Sequence, residues 1–168
     1  MASDTSSAAA TAAATAHGLS ASTLQDLTRK AKEAKFRAYC PYSNFRVGAA
    51  VLHLDGETVT TGANVENASY PVGTCAERVA LSRAVVEGGE EGEGGGGDEG
   101  GRRRRRFRAL AVASDVSPAA SPIREFCDPS IPIVLVAGDD GFEIVTLEQL
   151  LPMSFGPEHL STTTTKTA

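Results

Sequence analysis

The stretch VGAAVLHLDGETVTTGANV, residues 47–65, predicts two β-strands joined by a tight turn. Residues 47–54 are apolar and β-prone, and residues 58–65 are rich in β-branched side chains. Asp55-Gly56 between them is a common hairpin signal, because glycine adopts positive φ without a steric cost. We therefore expect an antiparallel pair that opens into a loop at residues 64–74.

A helical pattern lies on each side of this hairpin. Residues 22–38 have apolar side chains at helical spacing, Ser22 can cap the start, and Pro41 ends the pattern. The apolar positions are Leu24, Leu27, Ala31, Ala34 and Ala38. A second helix is expected to begin at Cys75 and to stop at Gly88-Gly89. Its apolar stripe comprises Ala76, Val79, Ala80, Ala84 and Val86.

Two short apolar runs, Leu110–Ala113 and Ile133–Val136, are typical of parallel strands covered by helices on both faces. Phe142–Val145 is a candidate last strand, and Leu147–Leu151 a short closing helix. The order is helix, hairpin, helix, strand, helix, strand. It predicts an α/β fold, a three-layer α/β/α sandwich with a mixed central sheet.

The composition is that of one soluble domain. The chain has 168 residues, a net charge of −5 and 41% hydrophobic residues. No run reaches the roughly 18 apolar residues that a membrane-spanning helix needs. Three cysteines are an odd number, which disfavours a disulfide framework and favours reduced, intracellular thiols.

Low-complexity segments divide the chain. Residues 1–21 and 161–168 are rich in Ala, Ser and Thr and are expected to be disordered tails around a domain at residues 22–160. A Gly, Glu and Arg insertion at residues 87–106 cannot bury enough apolar surface to offset chain entropy. The first 17 residues lack the pattern of a secretory signal or mitochondrial presequence, so we expect a cytoplasmic protein.

Five consecutive arginines, Arg102–Arg106, have two interpretations. They could contact nucleic acid, or they could belong to a solvated loop. Residues 87–108 contain six acidic residues and six arginines, so the segment neutralises itself and the remaining chain keeps the charge of −5. An acidic body of this kind is a poor binder of polyanions, so we expect neither a nucleic-acid nor a membrane partner.

The sharpest chemical signal is Cys75-Ala76-Glu77 at a helix start. Partial positive charge at a helix N-terminus favours the thiolate, which is the form that binds metal. A neighbouring carboxylate can then move protons without ligating the metal, as in the zinc deaminases. The alternative is that Cys75 is a buried packing residue.

Three longer motifs surround this signal: AYCPYSNFRVGAA at residues 38–50, NVENA at 64–68 and YPVGTCAER at 70–78. EQLLP at residues 148–152 and SFGPE at 154–158 follow near the end. Together they closely resemble the small homo-oligomeric, zinc-dependent cytidine deaminases. The resemblance implies hydrolytic deamination of cytidine or deoxycytidine to the uridine nucleoside, in pyrimidine salvage. It also implies assembly as a dimer or tetramer.

The resemblance assigns the reaction centre to residues 75–78. Cys75 would hold zinc, and Glu77 would act as general acid and base. Zinc can lower the pKa of bound water from ~15.7 to about 7, which makes hydroxide available at neutral pH. The Ala76 backbone would donate to the pyrimidine carbonyl, and Arg78 would partly offset thiolate charge. A solvated helix arginine is the alternative for Arg78.

Substrate contacts follow from the same resemblance. Asn64 and Glu66 would hold the sugar hydroxyls, and Phe45 would stack on the base. Tyr70 would be a pocket residue near the oligomer interface, and Phe155 an aromatic side chain lent to a neighbouring subunit's site. Without the resemblance, the two polar residues are ordinary loop residues and the aromatic residues are candidate core.

The chain departs from the family pattern at one place. The family's SPCGxCRQ segment supplies two more zinc thiolates, whereas this chain has SPAASP at residues 117–122 followed directly by Ile123. Roughly seven residues, about 10 Å of helix, are missing. Cys40, His53 and Cys127 are poor replacements, because zinc needs three or four correctly directed donors. Two explanations follow. The chain is a degenerate deaminase that binds nucleosides or pairs with active subunits, or the sequence lacks an in-frame segment that the natural gene product contains.

Overall fold

A computed structural model of the protein describes residues 15, 17–87, 107–114, 123, 126–137 and 141–151. The elements in chain order are α1 (Ala21–Lys35), β1 (Val47–His53), β2 (Val59–Ala63), α2 (Ala76–Glu87), β3 (Phe107–Ser114), β4 (Pro132–Ala137), β5 (Gly141–Thr146) and α3 (Leu147–Leu150). A 3-10 turn at Tyr70–Val72 precedes α2. The helix expected between β3 and β4 falls mostly on residues outside the described ranges.

The five strands form one mixed sheet in the order β2-β1-β3-β4-β5. The predicted hairpin is confirmed, since β1 and β2 pair antiparallel from Gly48↔Ala63 to Leu52↔Val59. The predicted parallel pair is also confirmed, with Leu110 of β3 opposite Ile133 of β4. Strands β1 and β5 are antiparallel to β3 and β4 respectively, which completes the mixed sheet.

Helices cover the sheet on two faces, because successive strand residues point to opposite sides. Ala50 and Leu52 of β1 pack with α1, on a face that also contains Leu24, Leu27, Ala31, Ala109, Ala111, Val134 and Val136. Ala49 and Val51 pack with α2, on a face that also contains Ala76, Ala80, Leu81, Leu110, Val112, Ile133 and Leu147. The predicted three-layer sandwich is confirmed.

Two glycines let the helices lie directly against the sheet. A Cβ built on Gly48 of β1 would overlap the Ala31 carbonyl oxygen of α1. A Cβ built on Gly62 of β2 would come within 2.6 Å of the Ala76 carbonyl oxygen of α2. Because a methyl group does not fit at either place, glycine sets the depth of both helices, including the start of α2.

Several details of the helices differ from the sequence prediction. Ser20, and not Ser22, caps α1, because its side chain accepts the Thr23 N–H at 3.0 Å. Leu19, assigned to the N-terminal tail, is only 2% exposed and packs in the α1 core. In α2, Val86 is 81% exposed and Leu81 is buried in its place. Val86 is two positions beyond a buried residue, Ala84, so it lies on the opposite side of the helix.

Other predicted segments lie outside the described residues. These are residues 1–14 of the N-terminal tail, residues 88–106 of the insertion, and residues 152–168 with the SFGPE motif. Within the described ranges, no helix combines the length and hydropathy required to cross a membrane.

We expect Gly48→Ala to destabilise the fold by about 2 kcal/mol, because an added methyl forces α1 away from β1. Gly141→Ala is the matched control, since a Cβ at that position meets nothing within 4 Å. Urea unfolding followed by circular dichroism measures both. Equal unfolding midpoints for the two variants would contradict the proposed close approach.

Candidate functional site

The segment Asn64-Val65-Glu66 is held in an extended conformation between two neighbours. The Val65 N–H donates to the Thr74 carbonyl at 2.9 Å, and the Thr74 N–H returns a bond to Val65 at 2.8 Å. On the other side, the Tyr39 N–H donates to Asn64 at 3.0 Å, and the Glu66 N–H donates to Tyr39 at 2.7 Å. These bonds place residues 64–66 beside the start of α2.

A cleft of about 280 Å³ opens at this place. It is lined by Val47, Asn64, Val65, Glu66, Asn67, Tyr70, Gly73, Thr74 and Cys75. Four residues predicted from the sequence, Asn64, Glu66, Tyr70 and Cys75, therefore lie on one cleft, although up to 11 positions separate them in the chain. Phe45 is half-buried and is not part of this lining.

Cys75 lies at the N-terminus of α2, where its carbonyl accepts the Val79 N–H at 3.1 Å. Burial raises the pKa of the Cys75 thiol, and the hydrogen bond from the Arg78 backbone N–H to the sulfur opposes that rise only in part. The helix terminus by itself predicts a thiolate. The structure favours the neutral thiol, because desolvation outweighs the effect of the backbone donor.

Glu77 is 3% exposed, an unusual position for a carboxyl group. Burial raises the pKa of Glu77, while its own backbone N–H and a hydrogen bond from the Cys75 thiol lower it. A carboxyl group whose pKa is raised by burial keeps its proton to a higher pH than an exposed one, which suits a general acid and base. The positive charge of the exposed Arg78 side chain lowers the pKa of both Cys75 and Glu77, but its effect is the smallest of those acting on either group.

The Asn64 side chain fastens the loop before β1. Its Oδ1 accepts the Val47 N–H at 2.8 Å, and its Nδ2 donates to the Phe45 carbonyl at 2.9 Å. An amide carries two N–H groups and two lone pairs on oxygen, so one donor and one acceptor position are left unused by the described residues. The family resemblance predicts a sugar contact for Asn64 but does not predict these two hydrogen bonds with the loop.

The Glu66 carboxylate holds the same loop further back. Its Oε2 accepts the backbone N–H groups of Tyr42 at 2.9 Å and Ser43 at 3.2 Å, and its Oε1 accepts the Ser43 hydroxyl. Ser43 was missed as a site residue. A serine in a turn-forming stretch such as Pro41-Tyr42-Ser43-Asn44 is a frequent partner for local hydrogen bonds, and that signal was available in the sequence.

Tyr70 is 78% exposed on the 3-10 turn, and its ring centroid lies 6.4 Å from that of Tyr42. Its predicted place near an oligomer interface stays a prediction. Ala76 is fully buried at the start of α2. Phe155 lies outside the described residues.

The donor set for zinc is incomplete. In the described part of the chain, no group of three or more His, Cys, Asp and Glu residues lies close enough together to hold a metal ion. All three cysteines are among the described residues. Cys40 and Cys127 are buried, and neither belongs to a group of three potential metal ligands in the described ranges. His53 hydrogen-bonds Thr60 Oγ1 at 2.9 Å. The described residues therefore do not fit a zinc ion held by three protein ligands.

Burial raises the pKa of Cys127 to about 12, with a smaller contribution from the Asp128 charge. We therefore expect the Cys127 thiol to remain protonated and unalkylated by iodoacetamide in the native protein at pH 8. The thiolate forms only as the pH approaches that raised value. Peptide mass spectrometry after a brief pulse measures this, with urea-unfolded protein as the control. Rapid native labelling of Cys127 would show that it is accessible as a replacement donor.

Comparison with known proteins identifies a family. Residues 21–96 match the family model of the cytidine and deoxycytidylate deaminase zinc-binding region. The cytidine deaminase of Sporosarcina psychrophila is 38% identical over 145 residues, covering 82% of this chain and 95% of that protein. That of Halalkalibacterium halodurans is 35% identical over 144 residues, covering 82% and 97%.

Solved structures give the same result. The cytidine deaminase of Burkholderia pseudomallei superposes with a TM-score of 0.63 at 35% identity, covering 78% of this chain and 98% of that one. The Mycobacterium tuberculosis enzyme superposes with a TM-score of 0.59 at 30% identity, covering 79% and 97%. The family model, the sequence identity and the fold all agree, and the chain belongs to the cytidine deaminase family.

Proposed function

We propose that this chain recognises cytidine and deoxycytidine in the cleft beside Cys75. The reaction that we assign to this type of site is hydrolytic deamination to the uridine nucleoside, in cytoplasmic pyrimidine salvage. We further propose that the 168 residues alone bind the nucleoside without converting it. One observation carries both statements: Asn64, Glu66 and Cys75 share a cleft, yet no set of three metal donors converges in the described residues.

The sugar end of the cleft supports nucleoside binding. Glu66 is an acceptor with about four lone-pair positions, of which three are used by the loop, and Asn64 has one free donor and one free acceptor position. A pair of neighbouring hydroxyl groups on a sugar matches such a set. We assign Asn64 and Glu66 to the sugar, the Phe45 ring to the base, and the Ala76 N–H to the pyrimidine carbonyl.

The first turn of α2, next to the cleft residue Cys75, supports proton handling by Glu77. Its carboxyl group is buried, hydrogen-bonded to the Cys75 thiol and raised in pKa. In the hydrolytic reaction of the family, Glu77 would take a proton from the attacking water and pass it to N3 and to the leaving amine of the substrate. Arg78 and the chain's homo-oligomeric partners, with Tyr70 and Phe155 at their contacts, complete the proposed site.

Deaminase activity itself is the second candidate function. The buried Glu77 next to Cys75 favours it, since a site that has lost its chemistry has no need to bury a carboxyl group. The natural gene product would then contain a cysteine-bearing segment between Pro122 and Ile123. Reading the transcript across this junction tests that explanation directly.

Isothermal titration with cytidine tests the binding proposal. We expect Glu66→Gln to weaken cytidine binding by about tenfold or more, because hydrogen bonds to charged groups contribute most in recognition. Glu57→Gln, an exposed glutamate in the β1–β2 turn, is the matched control and should bind as the unaltered chain does. Binding that is unchanged in Glu66→Gln would contradict the assigned cleft.

Metal analysis and turnover test the second statement. After purification and rinsing with a chelator, we expect almost no zinc per chain and no loss of cytidine absorbance, because one thiol does not retain zinc. A parallel measurement uses Glu77→Gln to identify contaminating activity. About one zinc per chain, together with turnover abolished by Glu77→Gln, would establish the enzyme instead.

A further inference from the structure

Ser43 occupies a central position in the loop between α1 and β1. Its hydroxyl oxygen accepts the Phe45 N–H at 3.0 Å, and the hydroxyl donates to Oε1 of Glu66. A hydroxyl group has one proton and two lone pairs. Because an ionised carboxylate can only accept, the hydroxyl proton is directed to Glu66, while one lone pair of the hydroxyl oxygen accepts the Phe45 N–H.

The backbone of this loop is bent to place Ser43 there. The Asn44 N–H donates to the Cys40 carbonyl at 3.0 Å, which closes a turn, and Asn44 has a φ of 57°, in the left-handed region. Asparagine tolerates this conformation better than most residues. The Ser43 N–H also bonds Glu66, so Ser43 contacts the carboxylate through both its backbone and its side chain.

We propose that Ser43 is a positioning residue, whose hydroxyl orients the Glu66 carboxylate so that its remaining lone pair meets the sugar hydroxyls of the nucleoside. This inference rests on the proposed nucleoside function and deepens it. Ser43 does not line the cleft, so it acts through Glu66 and not on the ligand itself.

The charge state of Glu66 agrees with this role. The Ser43 hydroxyl is the largest cause that lowers the pKa of Glu66, followed in the same direction by the backbone N–H groups of Tyr42 and Ser43. Glu66 therefore remains an ionised acceptor across the neutral range. An ionised carboxylate forms stronger hydrogen bonds with hydroxyl groups than a neutral one.

Two nucleosides separate positioning from a general effect on structure. Cytidine has both sugar hydroxyls at the 2′ and 3′ carbons, and 2′,3′-dideoxycytidine has neither. We expect Ser43→Ala to weaken cytidine binding by about tenfold and to leave dideoxycytidine binding unchanged. Ser43→Thr, which keeps the hydroxyl, should restore cytidine affinity, and Ser82→Ala, an exposed serine on α2, should match the unaltered chain.

A measurement without ligand tests the underlying contact. In an NMR titration of the Glu66 side-chain carboxyl carbon, the pKa should rise in Ser43→Ala and stay unchanged in Ser43→Thr and Ser82→Ala. An unchanged Glu66 pKa, or equal losses of affinity for the two nucleosides in Ser43→Ala, would overturn the proposal. An unaltered chain that binds neither nucleoside would overturn the proposed function itself. The NMR titration needs no ligand, so it distinguishes that outcome from the absence of a Ser43–Glu66 contact.

Discussion

The close contact of two helices with the sheet governs the arrangement of this molecule. At Gly48 and Gly62 the helix backbone occupies the space where a side chain would otherwise stand. Close packing in a protein interior allows little adjustment at such points. Gly62 meets Ala76 and Ala80, so the contact determines the depth of the first turns of α2. Cys75, Ala76 and Glu77 are placed as a consequence of packing, before any ligand is considered.

The second constraint concerns the Asn64 and Glu66 side chains, which contact both the loop before β1 and the cleft. Both side chains bond the loop that contains Phe45, and both line the cleft. In the proposed function, the same two side chains would therefore both order the loop and bind the nucleoside. Ser43 belongs to this hydrogen-bond network although it lies outside the cleft, so its proposed effect on recognition would act through Glu66.

Membership of the family and zinc binding by this chain depend on different evidence. The family assignment depends on 38% identity across most of the sequence and on a shared fold, neither of which requires zinc to be bound. Zinc retention depends on three or four donors in one place, and a single thiol at a helix start does not provide them. A chain can thus share the family's fold although its described residues bring no three metal donors together.

Local patterns in the sequence were sufficient for the hairpin, the parallel strand pair and the α/β class. Alternation, turn residues and apolar runs act over a few neighbouring residues and need no knowledge of the partner. The motifs were sufficient for the family, and they named Asn64, Glu66 and Cys75, which the structure brings to one cleft. The roles of these three residues stay predictions. Only the tertiary structure decided that Leu81 and not Val86 is buried, that desolvation favours the Cys75 thiol, and that Ser43 holds Glu66. Each of these depends on atoms distant in the chain, whose approach is determined by packing and not by local propensity.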